Sequence, residues 1–402
     1  MNLSYDCSIT YPKGFSASGT IAGVKTTGSY DLGIVVSERT AVAAAVFTKN
    51  KFKAAPVFVS RRNLVKSGSK ARAIVVNSGC ANALTGRQGL KSAESTVAEV
   101  AKKLRVSTKE VLVASTGVIG RQLPLDSIRQ SIPALIAGLT VQFDNHFTQS
   151  IMTTDKFPKQ VATEVALSTK KKFRIGATAK GAGMIHPNMA TMLCFVTTDA
   201  KIDRKKLGSA LQFAVGRSFN AITVDGDTST NDSVFVLANG ASGAEIKTTS
   251  EYRAFSEALT AVLKELAMLI VRDGEGATRF VKLNIENAAT YEQAVRVGRA
   301  VGTSPLVKTA IFGGDPNWGR VVSAIGNSDA KFDPTKVELR IEGISVYRKD
   351  EPQKVDLQVL EDLFSKKEIE ITIRLNAGKE SAQVFTCDLS YDYVKINGEY
   401  TT

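Results

Sequence analysis

Lys180-Gly181-Ala182-Gly183-Met184-Ile185-His186-Pro187-Asn188-Met189-Ala190-Thr191-Met192-Leu193-Cys194-Phe195 sets a glycine- and proline-containing loop directly against an apolar run. A short apolar run entered through such a loop reads as a buried strand, here over 192–196, opening a new α/β unit. On its N-terminal side, residues 73–76 form another buried strand, stopped by the turn Asn77-Ser78-Gly79. Leu90, Ala93, Val97, Ala101 and Leu104 recur at helical spacing along one face. A strand over 111–113 then stops at Ser115-Thr116-Gly117, and a helix over 126–139 is expected to kink or break at Pro133. On the C-terminal side the pattern predicts a helix over 204–219 and a strand over 234–237. A long helix over 252–271 follows, stopped by Asp273-Gly274-Glu275-Gly276. Strands at 278–285, 337–341, 369–375 and 383–386 complete the reading. The fold class is α/β, mixed α+β, with two α/β halves meeting near residue 190.

Composition narrows the function. A chain of 402 residues, 43% hydrophobic and 23% charged, has the length for real cores. No apolar stretch approaches the roughly 20 residues that span a bilayer, and the start carries no secretory pattern, so a cytoplasmic location is expected. Four scattered cysteines exclude a disulfide framework or zinc knuckle, and two histidines exclude a site with several His ligands. The formal charge of +13 is dispersed, with Lys170-Lys171-Lys172 its tightest run, and no nucleic-acid-binding signature accompanies it. Neither nucleic acid nor membrane is an expected partner.

Three motifs fall short of their templates. Asp225 to Asp232 looks like a calcium loop, but Thr230 and Val236 stand where Gly and Glu are needed. It reads instead as a turn whose short polar side chains bond the local backbone. Gly314 to Val321 lacks the Lys and hydroxyl of a phosphate loop. Gly181-Ala182-Gly183 lacks the third glycine of a dinucleotide fingerprint. No metal and no bound cofactor is expected.

Thr191 stands at the junction of loop and strand. From the residues alone it is either an ordinary β-branched strand entry or a nucleophile. The second reading has a chemical basis. A threonine freed by cleavage of the bond before it holds a hydroxyl and an α-amine on adjacent carbons. The amine, with an unperturbed pKa of about 7.7–8.0, serves as base for its own hydroxyl and needs no histidine.

From Ile9 to Thr402 the sequence resembles the ornithine acetyltransferases of arginine biosynthesis, some of which are bifunctional. The matching pieces are Asn77-Ser78-Gly79, Ser115 to Gly120, Ile151 to Asp155, Lys180 to Met192, Asp225 to Asp232, Gly274 to Thr278, Gly314 to Arg320, and Cys387 to Asn397. The resemblance implies the fold type shared by these enzymes and the DmpA aminopeptidase. It implies self-cleavage between Ala190 and Thr191 into an α chain (1–190) and a β chain (191–402), assembled as an α2β2 heterotetramer. Thr191 would carry the acetyl group, and Thr116 and Gly117 would form the oxyanion hole. Thr154, Lys180, Thr191, Glu275, Asn397 and Thr402 match substrate-contacting positions. The implied substrates are N-acetylornithine and glutamate, exchanged in ping-pong fashion. Whether acetyl-CoA also donates is left open. Cys80, Leu84, Lys156, Phe385, Gly398 and Thr401 depart from the family pattern. The competing reading is a self-processed aminopeptidase or amidase of the same architecture, in which water replaces the accepting amine.

Overall fold

The computed structural model describes residues 2–142, 145–168, 170–186 and 192–399. Pro187, Ala190, Thr191, Thr401 and Thr402 lie outside these described residues. The first sheet draws on strands β1 (Leu3–Ser4), β2 (Phe15–Thr20), β3 (Leu32–Phe47), β4 (Lys70–Asn77) and β5 (Val111–Ser115). It also contains β6 (Lys159–Ala166), β7 (Lys172–Lys180), β8 (Leu193–Thr198) and β9 (Ser233–Ala238). Their spatial order is β1-β6-β7-β8-β9-β3-β4-β5, with β2 paired to β3. The second sheet, ordered β13-β12-β11-β14-β10-β15, uses β10 (Phe280–Ala288), β11 (Glu338–Ile341), β12 (Ile344–Arg348), β13 (Glu351–Pro352), β14 (Glu368–Arg374) and β15 (Glu380–Cys387).

The two halves expected to meet near residue 190 are interleaved rather than side by side. β8 and β9, which follow that point, are inserted between β7 and β3, which precede it. Every residue of β8 and β9 is buried, and a continuous apolar strand is stable only with neighbours on both edges. β8 and β9 are parallel, and parallel neighbours need a crossover. Helix α5 (Arg204–Gly216) supplies it; of the other helices, α1 (Ala55–Lys66), α2 (Gly86–Leu104), α3 (Leu125–Ala137) and α4 (Asn145–Ile151) precede residue 190, and α6 (Thr249–Arg272) follows α5.

Helix α6 starts at a capping box formed by Thr248 and Glu251 and lays Phe255, Leu259, Leu263 and Leu266 with α5 into one core cluster against β7–β9. Helices α2 and α3 build a separate cluster with Ile34, Ala73 and Val113 of β3–β5. Helix α3 continues through Pro133, so of the kink or break expected there the break does not occur. The proline sits on the exposed side, while Ile128, Ile132 and Leu135 bury the opposite face and hold the helix together. The second sheet packs on α7 (Tyr291–Gly302), α8 (Pro305–Gly313), α9 (Trp318–Gly326) and α10 (Leu357–Phe364). The near-phosphate-loop segment is a helix junction: Gly314 caps α8 in the left-handed region and Asn317 caps α9. The last helix, α11 (Tyr391–Glu399), folds back onto the turn after α6. No described helix is long and apolar enough to cross a membrane.

Candidate functional site

The parallel pair β4 and β5 ends in register, Asn77 opposite Ser115, so the turns that follow lie side by side. Ser115 Oγ donates to Asn77 Oδ1 at 2.6 Å, and the Thr116 amide is engaged by Asn77 O at 3.0 Å. That leaves the Thr116 hydroxyl and the Gly117 amide as the donors this turn can offer. Gly117 sits at φ +125°, and a Cβ there would lie 2.4 Å from the Gly79 carbonyl carbon. Only glycine permits so close an approach of two backbones.

Lys180 ends β7 and is 3% exposed; its Nζ donates to Thr116 Oγ1 at 3.4 Å. With that lone pair occupied, the hydroxyl hydrogen of Thr116 is free for another acceptor. Burial lowers the Lys180 pKa, while Asp155, Glu275 and Asp232 act to keep it charged.

Beneath it lies an ion network that sequence patterning did not single out. The buried Lys159 ammonium stands 2.6 Å from Asp155 Oδ1 and 2.5 Å from Asp273 Oδ2. Asp155 also accepts the Gly181 amide at 2.8 Å and the Thr153 amide at 2.9 Å, while Asp273 accepts the Lys156 amide. Burial alone would raise the Asp155 pKa, but the Lys159 and Lys180 charges and these hydrogen bonds hold it at about 2. Asp273 is pushed up by burial, with Lys159 opposing. One ammonium thus ties the Thr153–Thr154 segment and the end of β7 to the turn that carries Glu275.

Glu275 is fixed by its own amide, which bonds Ala182 O at 3.0 Å, and by Asn397 Nδ2 of α11, 3.0 Å from Oε2. The tight turn that seats α11 requires Gly276 at φ +68°, since a Cβ would lie 2.3 Å from Tyr393 N. Asp225 clamps the opposite end of the loop, accepting the Met184 and Ile185 amides at 2.5 and 2.8 Å. Burial raises its pKa, and burial together with Asp225 raises that of the neighbouring Tyr393 phenol.

These elements enclose a cavity of about 250 Å³. Thr116, Gly117, Thr154, Lys180, Glu275 and Asn397, the six described residues proposed from sequence, all line it. Thr191 and Thr402 lie outside the described residues, and so does Ala190. The register brings Leu193 opposite Lys180, which places the start of β8 beside the cavity. The 225–232 segment forms the local bonds expected of it, such as Asn231 N to Ser229 Oγ at 3.1 Å. It also reaches further: Asn231 Nδ2 donates to Ala81 O and Ser115 O at 2.6 and 2.8 Å, locking the two halves of the wall together. His186 faces Thr223 at 3.3 Å rather than the cavity. Of the departures, Lys156 is exposed and does not line the cavity, and Phe385 stacks on Phe280 in the core. Among the described residues no cluster of His, Cys, Asp or Glu forms a metal site.

Lys159, Asp273, Asp225 and Tyr393 are the participants that sequence reasoning missed as site residues. Their only signal is a charged or phenolic group near a motif, and that does not distinguish a buried partner from a solvated one.

A mixed α/β frame whose cavity is lined by the buried Lys180, two turn donors and several carboxylates defines an enzyme for a small charged molecule. The chain belongs to the ArgJ family, whose pattern covers residues 16–402. It is 47% identical over 401 residues to the arginine biosynthesis bifunctional protein ArgJ of Dehalococcoides mccartyi, covering 99% of this chain and 98% of that one. To the glutamate N-acetyltransferase of Methanothermobacter thermautotrophicus it is 45% identical over 401 residues, covering 96% of each. A crystal structure of arginine biosynthesis bifunctional protein ArgJ from Bacillus halodurans matches with 41% identity and a TM-score of 0.44, over 47% of this chain and 98% of that chain.

Proposed function

We propose that this protein is an acetyltransferase of arginine biosynthesis, moving the acetyl group of N2-acetyl-L-ornithine to L-glutamate through an acetyl-threonine at Thr191. The observation that supports it is the convergence of Lys180, Thr116, Gly117, Thr154, Glu275 and Asn397 on one cavity of amino-acid size. The names of the two relatives favour this transfer over the aminopeptidase reading.

Lys180 binds the α-carboxylate common to donor and acceptor, a charge-assisted contact inside a water-poor wall. Thr191 Oγ attacks the acetyl carbonyl as its α-amine takes the hydroxyl proton. The Thr116 hydroxyl and Gly117 amide hold the oxyanion, a contribution of about 2.7–4 kcal/mol per donor in comparable sites. The C–N bond to ornithine breaks, the leaving nitrogen receives the proton, and the acetyl group stays on Oγ. Glutamate then occupies the same place, its amine attacks the ester, and Thr191 is regenerated. One amide replaces another, so no ATP and no bound cofactor takes part. Acetyl-CoA as an alternative donor to Thr191 belongs to the same proposal.

Activation is cleavage between Ala190 and Thr191, by attack of Oγ on the Ala190 carbonyl and hydrolysis of the resulting ester. The α piece (1–190) and β piece (191–402) stay together because β8 and β9 are inserted between strands of the α piece. Two copies of each give the proposed heterotetramer.

A denaturing gel with N-terminal sequencing tests the reading. Two pieces of about 20 and 23 kDa are expected from the chain's mass per residue, the larger beginning Thr-Met-Leu-Cys. Thr191→Ala should remain one inactive chain; turnover by it refutes the assignment. Ornithine release that does not depend on glutamate favours the hydrolase.

A further inference from the structure

Asp232 is a buried acid whose partners are few: the Met192 amide, the Ser229 side chain and the more distant Lys180 ammonium. It is fully buried in the turn before β9. Its Oδ1 accepts the Met192 amide at 3.0 Å, and its Oδ2 finds no donor among the described residues. Burial pushes the carboxyl well above the usual range, against the pull of the Met192 amide, the Lys180 ammonium on β7 and the Ser229 side chain, which is too poorly aligned to count as a geometric partner of Oδ2. Asp232 lies behind the cavity wall, whose own charged groups are Lys180, Asp225, Asp227 and Glu275. Buried carboxyl oxygens without a partner are uncommon because desolvation is costly, so each calls for an explanation.

Met192 supplies one. It follows the residue assigned as nucleophile, and only three covalent bonds separate its nitrogen from that of Thr191. In any conformation the two atoms are at most about 3.7 Å apart. The hydrogen bond on Oδ1 therefore ties Asp232 to the residue that directly follows the one place where opening the chain creates an amine. In the unbroken chain that nitrogen belongs to an uncharged peptide bond with a single hydrogen. After cleavage it has the charge and hydrogens that Oδ2 lacks.

We propose that Asp232 is the positioning residue for the amine of the nucleophile. Its Oδ2 accepts a hydrogen from that amine, turns the lone pair toward the Thr191 hydroxyl, and balances the ammonium formed when the hydroxyl proton is taken. The inference rests on the reading of Thr191 as a freed N-terminal nucleophile and adds no covalent step. The proton passes from Oγ to the amine and on to the leaving nitrogen, and Asp232, kept ionised in the cleaved protein by the charge of that amine against the cost of burial, exchanges no proton itself. Lys180 acts in the opposite sense, so that the base is held near neutrality between a positive and a negative neighbour.

The test compares Asp232→Asn and Asp232→Glu in the full-length, self-processed protein. Asp232→Asn should be cut like the wild type, since no amine exists before cleavage. Its plateau kcat/KM should fall by about tenfold or more, and the acidic limb of its pH profile should move down by about one unit. Asp232→Glu, which keeps the charge, should retain the limb. An acidic limb unmoved in Asp232→Asn overturns the proposal. If neither variant is processed, a structure of the processed wild type decides. The amine of Thr191 within about 3.2 Å of Oδ2 supports the role, and a water or another donor in its place overturns it. Turnover by Thr191→Ala would instead defeat the nucleophile assignment itself.

Discussion

Replacing Lys159 with Met removes the cation that two buried carboxyls share. The side chain is nearly isosteric, so packing is preserved and electrostatics are isolated. In the intact protein Asp155 sits at about 2 rather than near 3.8. A shift of just under two units corresponds to about 2–3 kcal/mol at roughly 1.4 kcal/mol per unit. Because the folded value is depressed, that stabilisation is present above pH 3.8 and lost as the pH falls through 2. Methionine also leaves Asp155 and Asp273 without the ammonium they share, with only Lys180 and the backbone amides to offset them, and breaking a buried pair in this way costs about 3–5 kcal/mol. Urea unfolding at pH 7 should therefore show a loss of about 3–5 kcal/mol. In the variant, burial raises both carboxyls, and groups with raised pKa gain stability as the pH falls. The penalty, taken as the difference from the wild type at each pH, should shrink between pH 7 and pH 5. Since Asp155 also holds the Gly181 and Thr153 amides, KM for both substrates should rise. A loss below about 1 kcal/mol, or a penalty that grows on acidification, refutes the view that this triad anchors the cavity wall.

Gly117→Ala forces a Cβ to within 2.4 Å of the Gly79 backbone at a φ of +125°. The turn must shift, and kcat for glutamate-dependent ornithine release should fall by about 10²–10³-fold; a loss smaller than about threefold contradicts the oxyanion assignment. Lys180→Met removes the ligand of the shared carboxylate, so KM for N-acetylornithine and for glutamate should rise together by about tenfold or more. A change confined to one substrate shows that the carboxylate binds elsewhere.

What was legible in the sequence follows from the range of the forces involved. Apolar runs such as Leu193–Thr198 and Ser233–Ala238 announce buried strands by composition alone. The amphipathic repeat of Thr249–Arg272 announces a helix with a capping box at its start. The long β3 strand escaped notice because Glu38, Arg39 and Thr40 interrupt its apolar run at an irregularity between Val36 and Ala41. Of the site, the residues alone marked the turn at Ser115-Thr116-Gly117 and the loop-to-strand junction at Thr191, and the family resemblance assigned roles to Thr116, Gly117, Thr154, Lys180, Glu275 and Asn397.

Local patterning thus determined which segments become strands and helices and where the chain turns sharply, because those choices depend on neighbours a few residues away. The tertiary structure alone decided that the strands after residue 190 are inserted among those before it, since strand order depends on pairing between distant segments. It alone decided that Lys159 is shared by Asp155 and Asp273, and that Asp232 keeps an unanswered oxygen beside Met192. Whether a charged side chain is solvated, paired or orphaned is set by what packs over it, and no linear pattern records that.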